Sequence, residues 1–457
     1  MRNYVDNKLN IRELIVEMVM QITSGEEQSH ILIRNVLNKH NYLEEYDKAF
    51  LKRVTEGTLE RLISIDYFLN SYSTVKVNKM KPFIRSLMRM SVYQIIYMDK
   101  VPDSAACNEA VKLANKRGFR NLKGFVNGVL RNISRNKNSL EMPKRDDNLE
   151  LALSVEYSMP EYLVKLLVKQ YGKEQAEHIL KGYFAERPVS VRMREIFSEE
   201  ELAAVYKSFQ DRNVICEKQE WLPYAYYLKN TGDLNSDVYF TRGYYTVQDI
   251  SSMLVCEIAS IKEGSLVLDV CSAPGGKAIH ACDKLYGTGL VDARDVSDYK
   301  ASMILENKNR MQVENLSVKV WDARQFDRDA KQKYDTVLLD IPCSGLGVIG
   351  KKPEIKYRLD ETSLAELDVL QKEIVDTVWD YVKPGGTLVY STCTIRKNEN
   401  EEMVSYITSQ YPYESVSLDD VLCQNLRNED TKKGYLTLLP SEKSDGFFIA
   451  KLVRKEN

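Results

Sequence analysis

Apolar residues recur at three- and four-residue intervals through the first 140 positions. Ile11, Leu14, Ile15, Met18 and Val19 share one helical face, as do Leu59, Leu62 and Ile63, and Ile84, Leu87, Met88 and Tyr93 within residues 81–98. Val101-Pro102-Asp103-Ser104 stops one helix and restarts another, because proline disfavours helical geometry in the residue before it. Ala110, Val111 and Ala114 continue to a break at Gly118, and Phe125, Val126, Val129, Leu130 and Ile133 form the last stripe. Residues 1–140 are therefore expected to be all-helical. The charged, proline-containing stretch 136–148 reads as a linker.

The pattern then changes twice. Residues 160–171 and 174–183 are helical, Val189-Ser190-Val191-Arg192-Met193 alternates like a strand, and 232–237 is rich in turn formers. A small mixed α+β domain over 145–235 follows. Beyond it, short apolar runs alternate with amphipathic helices. Strands are expected at 265–270, 289–292, 316–320, 336–340 and 387–391, with helices such as 277–285 and 301–311 between them. Such alternation predicts a parallel sheet covered by helices, so 236–457 reads as an α/β domain. The tail differs: 435–439 and 447–453 are two strands with no helix between, which suits an antiparallel edge hairpin.

Composition adds little to this picture; charge adds more. The chain is 44% apolar and 28% charged, ordinary for a globular protein, and 457 residues suffice for several domains. No apolar run reaches the roughly 18 to 20 residues of a membrane helix, and residues 1–8 carry no apolar leader core. Eight scattered cysteines, without a Cys-x-x-Cys pair, and only four histidines argue for a reducing cytoplasm and against a zinc cluster or other metal site. Net charge is only −2, yet residues 79–145 hold 15 Lys and Arg against 4 Asp and Glu, a net of +11. A basic block on a near-neutral chain points to a polyanionic partner.

Three features carry chemistry. Leu266-Val267-Leu268-Asp269-Val270 is a buried strand that leads into Cys271-Ser272-Ala273-Pro274-Gly275-Gly276-Lys277. The paired glycines let a ligand approach the backbone, and the following helix would face it with N–H groups. This is neither the dinucleotide fingerprint nor the Walker pattern, which argues against a hydride-transfer enzyme or an ATPase. Asp295, Asp322 and Asp340 fall at or just after the ends of successive strands, where residues line the ligand crevice of a parallel sheet. Finally, Cys343 in Asp340-Ile341-Pro342-Cys343-Ser344-Gly345 and Cys393 in Ser391-Thr392-Cys393-Thr394 each follow a strand. Arg396 and Lys397, close behind Cys393, would favour a thiolate there. Cys107, Cys216, Cys256, Cys282 and Cys423, with His178 and His280, read as packing or surface residues.

These motifs together resemble the RNA 5-methylcytosine methyltransferases, as does Asp445-Gly446-Phe447-Phe448-Ile449-Ala450-Lys451 near the end. The stretch from Asn108-Glu109-Ala110-Val111 to Gly124-Phe125-Val126-Asn127-Gly128-Val129-Leu130 is similar to the NusB antitermination-factor fold. A NusB-like head on such a catalytic domain resembles one subgroup, the RsmB/Sun 16S rRNA methyltransferases. The resemblance implies a NusB-like helical RNA-binding domain over 1–140, a mixed RNA-binding linker domain over 145–235 and a Rossmann-like S-adenosylmethionine-dependent catalytic domain over 236–457.

It also implies roles. Cys271, Ser272, Ala273, Pro274, Gly275, Gly276 and Lys277 would cradle S-adenosylmethionine, Asp295 would hold its ribose and Asp322 its adenine. Cys393 would add to carbon 6 of a cytosine, Asp340 would bond the ring and also border the cofactor, and Cys343 would help release the product. The implied substrate is 16S rRNA, bound through the basic head by a cytoplasmic protein that need be no more than a monomer. The alternatives are a tRNA 5-methylcytosine methyltransferase and a non-catalytic RNA-binding or antitermination factor. A DNA cytosine methyltransferase would use the Pro-Cys thiol as nucleophile and would not need the second cysteine of Ser-Thr-Cys-Thr.

Overall fold

The computed structural model describes residues 9–456, so the expectation for residues 1–8 lies outside the described residues. Contacts divide the chain into two units: Met1–Lys181 with Ile349–Leu359, and Gly182–Val348 with Asp360–Asn457.

The first unit is helical, as the apolar spacing predicts. It contains α1 (Ile11–Ser24), α2 (Ser29–Lys39), α3 (Glu45–Glu60), α4 (Leu62–Tyr72), α5 (Pro82–Tyr97), α6 (Asp103–Lys116) and α7 (Lys123–Asn136). Helix α5 is buried almost all round, from Ile84 to Ile95, and packs against α1, α3, α4, α6 and α7. Proline at its first turn costs nothing, since that N–H has no helical partner. The shared core includes Ile15, Val19, Leu51, Ile65, Leu87, Leu113, Val126 and Leu130.

After residues 137–148 come α8 (Leu149–Glu156), α9 (Glu161–Tyr171) and α10 (Lys173–Gly182). Ser64 donates to the Val155 carbonyl at 2.6 Å and Ser158 accepts from the Ile63 N–H at 3.0 Å, which fastens α8 to α4.

The segment 349–359, remote in sequence, completes this unit by capping helix ends. Helices α3 and α4 meet at Arg61, where the backbone leaves helical geometry and frees the last carbonyls of α3. Lys356 Nζ donates to the Glu60 carbonyl at 2.8 Å and the Tyr357 hydroxyl to that of Leu59 at 2.6 Å. Glu354 accepts from the Ser29 N–H at 3.0 Å and its hydroxyl at 2.7 Å, an anion at the positive end of α2.

The second unit holds two sheets. The smaller one, ordered β2-β3-β1-β4, consists of β1 (Val189–Met193), β2 (Ile215–Lys218), β3 (Ala225–Lys229) and β4 (Tyr245–Val247), with α11 (Glu199–Asp211) and α12 (Val238–Thr241) between strands. The turn-rich stretch 232–237 thus connects β3 towards β4 of one sheet. Sequence periodicity signals only β1, because β2 is largely exposed and β4 has three residues.

The larger sheet contains β5 (Leu266–Asp269), β6 (Leu290–Asp295), β7 (Leu316–Val320), β8 (Tyr334–Asp340), β9 (Val382–Thr392), β10 (Tyr413–Ser415), β11 (Tyr435–Leu438) and β12 (Phe447–Arg454). Its order is β7-β6-β5-β8-β9-β12-β10, with β11 also paired to β12. Strands β5 to β9 run parallel, and β12 is antiparallel to β9. The expected terminal hairpin is present, but β12 is not an edge strand: β9 covers one side, and β11 and β10 share the other.

Helices α13 (Ile250–Ala259), α14 (Gly276–Lys284), α15 (Asp298–Arg310), α16 (Ile355–Arg358, in the capping segment), α17 (Glu361–Val378), α18 (Glu401–Gln410) and α19 (Glu429–Lys432) complete the chain. After β5 the chain winds outward through β6 and β7, then returns to place β8 on the other side of β5. That reversal opens a crevice at the carboxyl ends of β5 and β8.

Candidate active site

Strand β5 ends in Asp269, and the seven-residue turn after it fills the crevice. Ser272 donates its hydroxyl to Asp269 Oδ2 at 2.9 Å and its N–H to the Arg294 carbonyl at 2.9 Å, so the turn is tied to β5 and β6 together. Gly275 has φ +102°, and a Cβ there would meet Ile304 Cγ2 at 3.2 Å. At Gly276, the first residue of α14, a Cβ would meet nothing within 4 Å, so this backbone faces open space. Asp269 is buried and its Oδ1 has no hydrogen-bond partner among the described residues; burial raises its carboxyl pKa to about 7.

Two of the strand-end carboxylates, Asp295 and Asp322, line one cavity. Its volume is about 250 Å³, and Val270, Cys271, Asp295, Trp321, Asp322 and Pro342 are among its walls. Asp295 Oδ2 accepts the Ala273 N–H at 2.9 Å, Oδ1 accepts the Val296 N–H at 2.8 Å, and Lys300 Nζ lies 3.1 Å from Oδ1. Asp322 is held by Arg324 at 2.7 Å, which keeps its carboxyl below the ordinary range. An apolar slot with carboxylates at its rim, beside a glycine-opened helix start, fits a nucleoside that carries a cationic amino-acid tail.

Lys277 differs from its neighbours in the turn. Its Nζ lies 2.6 Å from Asp340 Oδ2, at the end of β8, and 5.5 Å from the centre of the Phe447 ring. Burial opposes its charge, but Asp340 and Asp269 outweigh burial and raise its pKa. The other oxygen of Asp340 accepts from the Ser391 hydroxyl at 2.9 Å. Asp340 is thus a fixed anion held by one cation and one hydroxyl.

Beside this pair, Cys343 Sγ and Cys393 Sγ stand 3.1 Å apart, each half-buried. The contact with Cys393, then burial, lift the Cys343 thiol well above its ordinary pKa. Cys343 therefore keeps its proton and can donate it to Cys393. A buried network sets the loop. Glu399 accepts from the Ser344 N–H at 2.8 Å, and Gln371 Nε2 reaches Glu399 at 3.0 Å and the Pro342 carbonyl at 2.9 Å. Gly347 donates to the Cys393 carbonyl at 2.9 Å, and a Cβ on Gly347 would strike the Gly446 carbonyl.

One sequence expectation is corrected. Arg396 does not serve the thiol: its guanidinium is taken by Asp368 at 2.7 Å, with Glu399 at 3.6 Å. Lys277 interacts electrostatically with Cys393. Glu399 and Gln371 escaped sequence reading because they lie in ordinary helical or turn sequence and act only through tertiary contacts. Of the cysteines set aside, Cys107, Cys256 and Cys282 are buried. His280 is buried against Tyr224, with ring centres 5.5 Å apart.

A buried ion cluster holds the site from behind. Arg194, just after β1, bonds Asp283 of α14 at 2.7 Å, and Arg192 of β1 reaches the other oxygen of the same carboxylate at 2.5 Å. The small sheet is thereby locked to the helix that begins at the glycine turn.

Comparison with known proteins places this geometry. The family model described as 16S rRNA methyltransferase RsmB/F matches residues 257–453, and that of the NusB family matches residues 9–135. The probable ribosomal RNA small subunit methyltransferase B of Bacillus subtilis (strain 168) is 33% identical over 98% of this chain and 99% of its own. The chain belongs to the RsmB/F family. It is an RNA methyltransferase with a NusB-type helical unit. The ribosomal RNA small subunit methyltransferase B of Klebsiella pneumoniae (strain 342) is 29% identical over 99% of this chain and 100% of its own. The crystal structure of PH0851 has the same fold, with a TM-score of 0.81 at 24% identity over 97% of this chain and 99% of that one.

Proposed function

We propose that the protein transfers a methyl group from S-adenosylmethionine to carbon 5 of a cytosine in 16S rRNA through a covalent adduct on Cys393. The observation that carries this reading is the 3.1 Å pair of thiols beside the Lys277–Asp340 ion pair, at the edge of a nucleoside-sized cavity. A methyltransferase acting on a nucleophilic oxygen or nitrogen needs no thiol; carbon 5 of cytosine does, because it is too weak a nucleophile alone.

Cys271 to Lys277 with Asp295 and Asp322 would hold the cofactor, which supplies an electrophilic methyl group. Cys393 adds to carbon 6 as its thiol proton passes to N3 of the ring. The S–C6 bond forms as the ring's 5,6 double bond donates its electrons to carbon 5, which becomes enamine-like and takes the methyl group. Asp340 accepts hydrogen bonds from the amino group and the N3–H of the adduct, stabilising it, while Lys277 holds Asp340 in position. A solvent base then takes the carbon 5 proton, which restores the double bond as the S–C6 bond breaks, the N3 proton is released and the Cys393 thiolate leaves. Cys343, whose proton is retained beside Cys393, is placed to serve that release.

The base must be unstacked to enter such a site, which favours single-stranded loops and junctions. The absence of any membrane-length apolar helix among the described residues is compatible with a substrate met in the cytoplasm. The test is methyl transfer from labelled S-adenosylmethionine to deproteinised small-subunit rRNA, followed by nucleoside analysis. Label in 5-methylcytidine supports the reading. Label in another nucleoside, or on tRNA alone, overturns it.

A further inference from the structure

The basic block at 79–145 separates into two kinds of cation once folded. On and after α6 the charges are neutralised inside the helical unit. Lys112 pairs with Glu109 at 2.7 Å, Lys116 with Glu13 at 2.6 Å, and Arg117 with Glu13 and Glu17. On α7 they are not. From Arg120 to Leu140 the chain carries Arg120, Lys123, Arg131, Arg135 and Lys137 without one acidic residue. Lys137 pairs with Asp103, and Arg131 lies against the neutral side chains of Asn127 and Asn108. Arg120, Lys123 and Arg135 are exposed and form no ion pair among the described residues.

Three features of α7 are unfavourable within the protein itself. Its first turn carries a cation and no acid, although the helix dipole favours anions there, and no side chain caps it. Its solvent face has none of the opposite-charge pairs at four-residue spacing that stabilise an exposed helix. Gly124 and Gly128 lie one turn apart on that face, exposed, and a Cβ on either would meet nothing within 4 Å. Glycine weakens a helix interior relative to alanine, so internal packing gives no reason for either residue. An anionic partner resting on the helix removes all three difficulties. It neutralises the cations, occupies the positive end of the dipole, and approaches the helix backbone more closely than a methyl group would permit.

We infer that the exposed face of α7, from Arg120 through Gly124 and Gly128 to Arg135, is a docking surface for the sugar-phosphate backbone of the substrate RNA. This rests on the reading that the substrate is RNA, and specifies which face of the helical unit receives it. Lys123 and Arg135 are twelve residues apart, about 18 Å along a helix, a span that covers several successive phosphates. Backbone contacts of this kind set affinity and register and leave base choice to the catalytic pocket.

The experiment measures binding of deproteinised small-subunit rRNA by the full-length protein across a salt series. The variants are Gly124→Ala/Gly128→Ala and Lys123→Gln/Arg135→Gln, with methyl transfer followed in parallel. The glycine pair is expected to raise the melting temperature yet weaken RNA binding about tenfold, a combination that a purely structural role cannot produce. The cation pair is expected to reduce the slope of log affinity against log salt by roughly 1.4 to 1.8, at about 0.7 to 0.9 per lost phosphate contact. In both, the catalytic loss should fall on KM for RNA. Wild-type affinity and slope in both variants, with 5-methylcytidine still formed, would overturn the docking surface and leave the proposed reaction standing. Weakened RNA binding by both variants, with no 5-methylcytidine from any protein, would support the surface while the proposed reaction fell. Absence of salt-dependent RNA binding by the unaltered protein would overturn both.

Discussion

Lys277 Nζ lies 2.6 Å from Asp340 Oδ2 and joins the turn after β5 to the end of β8 across the switch point of the sheet. The pair interacts electrostatically with Asp269 at the end of β5 and with the two thiols. Its arrangement makes Lys277 a positioning residue for Asp340 as much as a member of the glycine turn. Lys277→Met is expected to lower kcat about 100-fold, the order found when one preorganised electrostatic partner is removed. The effect on S-adenosylmethionine affinity should be smaller, and calorimetric titration beside steady-state rates separates the two.

Cys393→Ala is expected to abolish methyl transfer and leave S-adenosylmethionine binding intact. The hydrogen bonds that tie the cofactor turn down go to Asp269, Arg294 and Asp295, whereas the Cys393 sulfur contacts Cys343. Retained turnover would remove Cys393 from the role of nucleophile.

Asp269 predicts a pH dependence of stability for the protein without cofactor. Its folded pKa of about 7 stands above its ordinary 3.8 because of burial. Between those values the folded state binds the extra proton, so stability falls as pH rises from about 4 to about 7. At about 1.4 kcal/mol per pH unit the loss amounts to a few kcal/mol. Asp269→Asn should flatten this slope and raise the melting temperature at pH 8 more than at pH 5. Parallel profiles for the two proteins would contradict the assignment.

Asp283 is shared by two buried guanidiniums, those of Arg192 and Arg194. Removing one partner of a buried pair leaves an uncompensated charge and costs about 3–5 kcal/mol. Asp283→Ala is therefore expected to destabilise the second unit by about that amount in urea unfolding. A change below about 1 kcal/mol would show that water or repacking compensates the arginines.

The periodic and local parts of this architecture were legible in the sequence. Apolar stripes located the helices α1 and α5 to α7, whereas the stripe of Leu59, Leu62 and Ile63 falls across the break between α3 and α4 at Arg61; the alternation beyond residue 260 located five parallel strands within a few residues of their ends. The strand-end positions of Asp295, Asp322 and Asp340 followed from the same pattern, and the folded chain brings Asp295 and Asp322 to one cavity and Asp340 to the thiols beside it. What escaped was non-local. Nothing in Glu354, Lys356 or Tyr357 announces that they cap α2 and α3, because the groups they meet lie about 300 residues away in the chain. Arg396 stands three residues from Cys393 in sequence, yet a turn directs it to Asp368. Lys277, 116 residues from Cys393, interacts with it electrostatically. Proximity in sequence was a poor guide wherever a side chain leaves a strand end, because successive residues there diverge to different sides of the sheet.

The central claim is that a thiolate of Cys393 becomes covalently bound to the substrate cytosine and that Cys343 serves its release. Cys343→Ala should therefore accumulate a protein–RNA adduct when incubated with small-subunit rRNA and S-adenosylmethionine. The measurement is mass spectrometry of the nuclease-digested, trypsin-cleaved complex. The account predicts a methylated cytidine nucleotide attached to the peptide containing Cys393, absent in Cys343→Ala/Cys393→Ala. Normal turnover by Cys343→Ala with no adduct, or a nucleotide attached to any other residue, would contradict it.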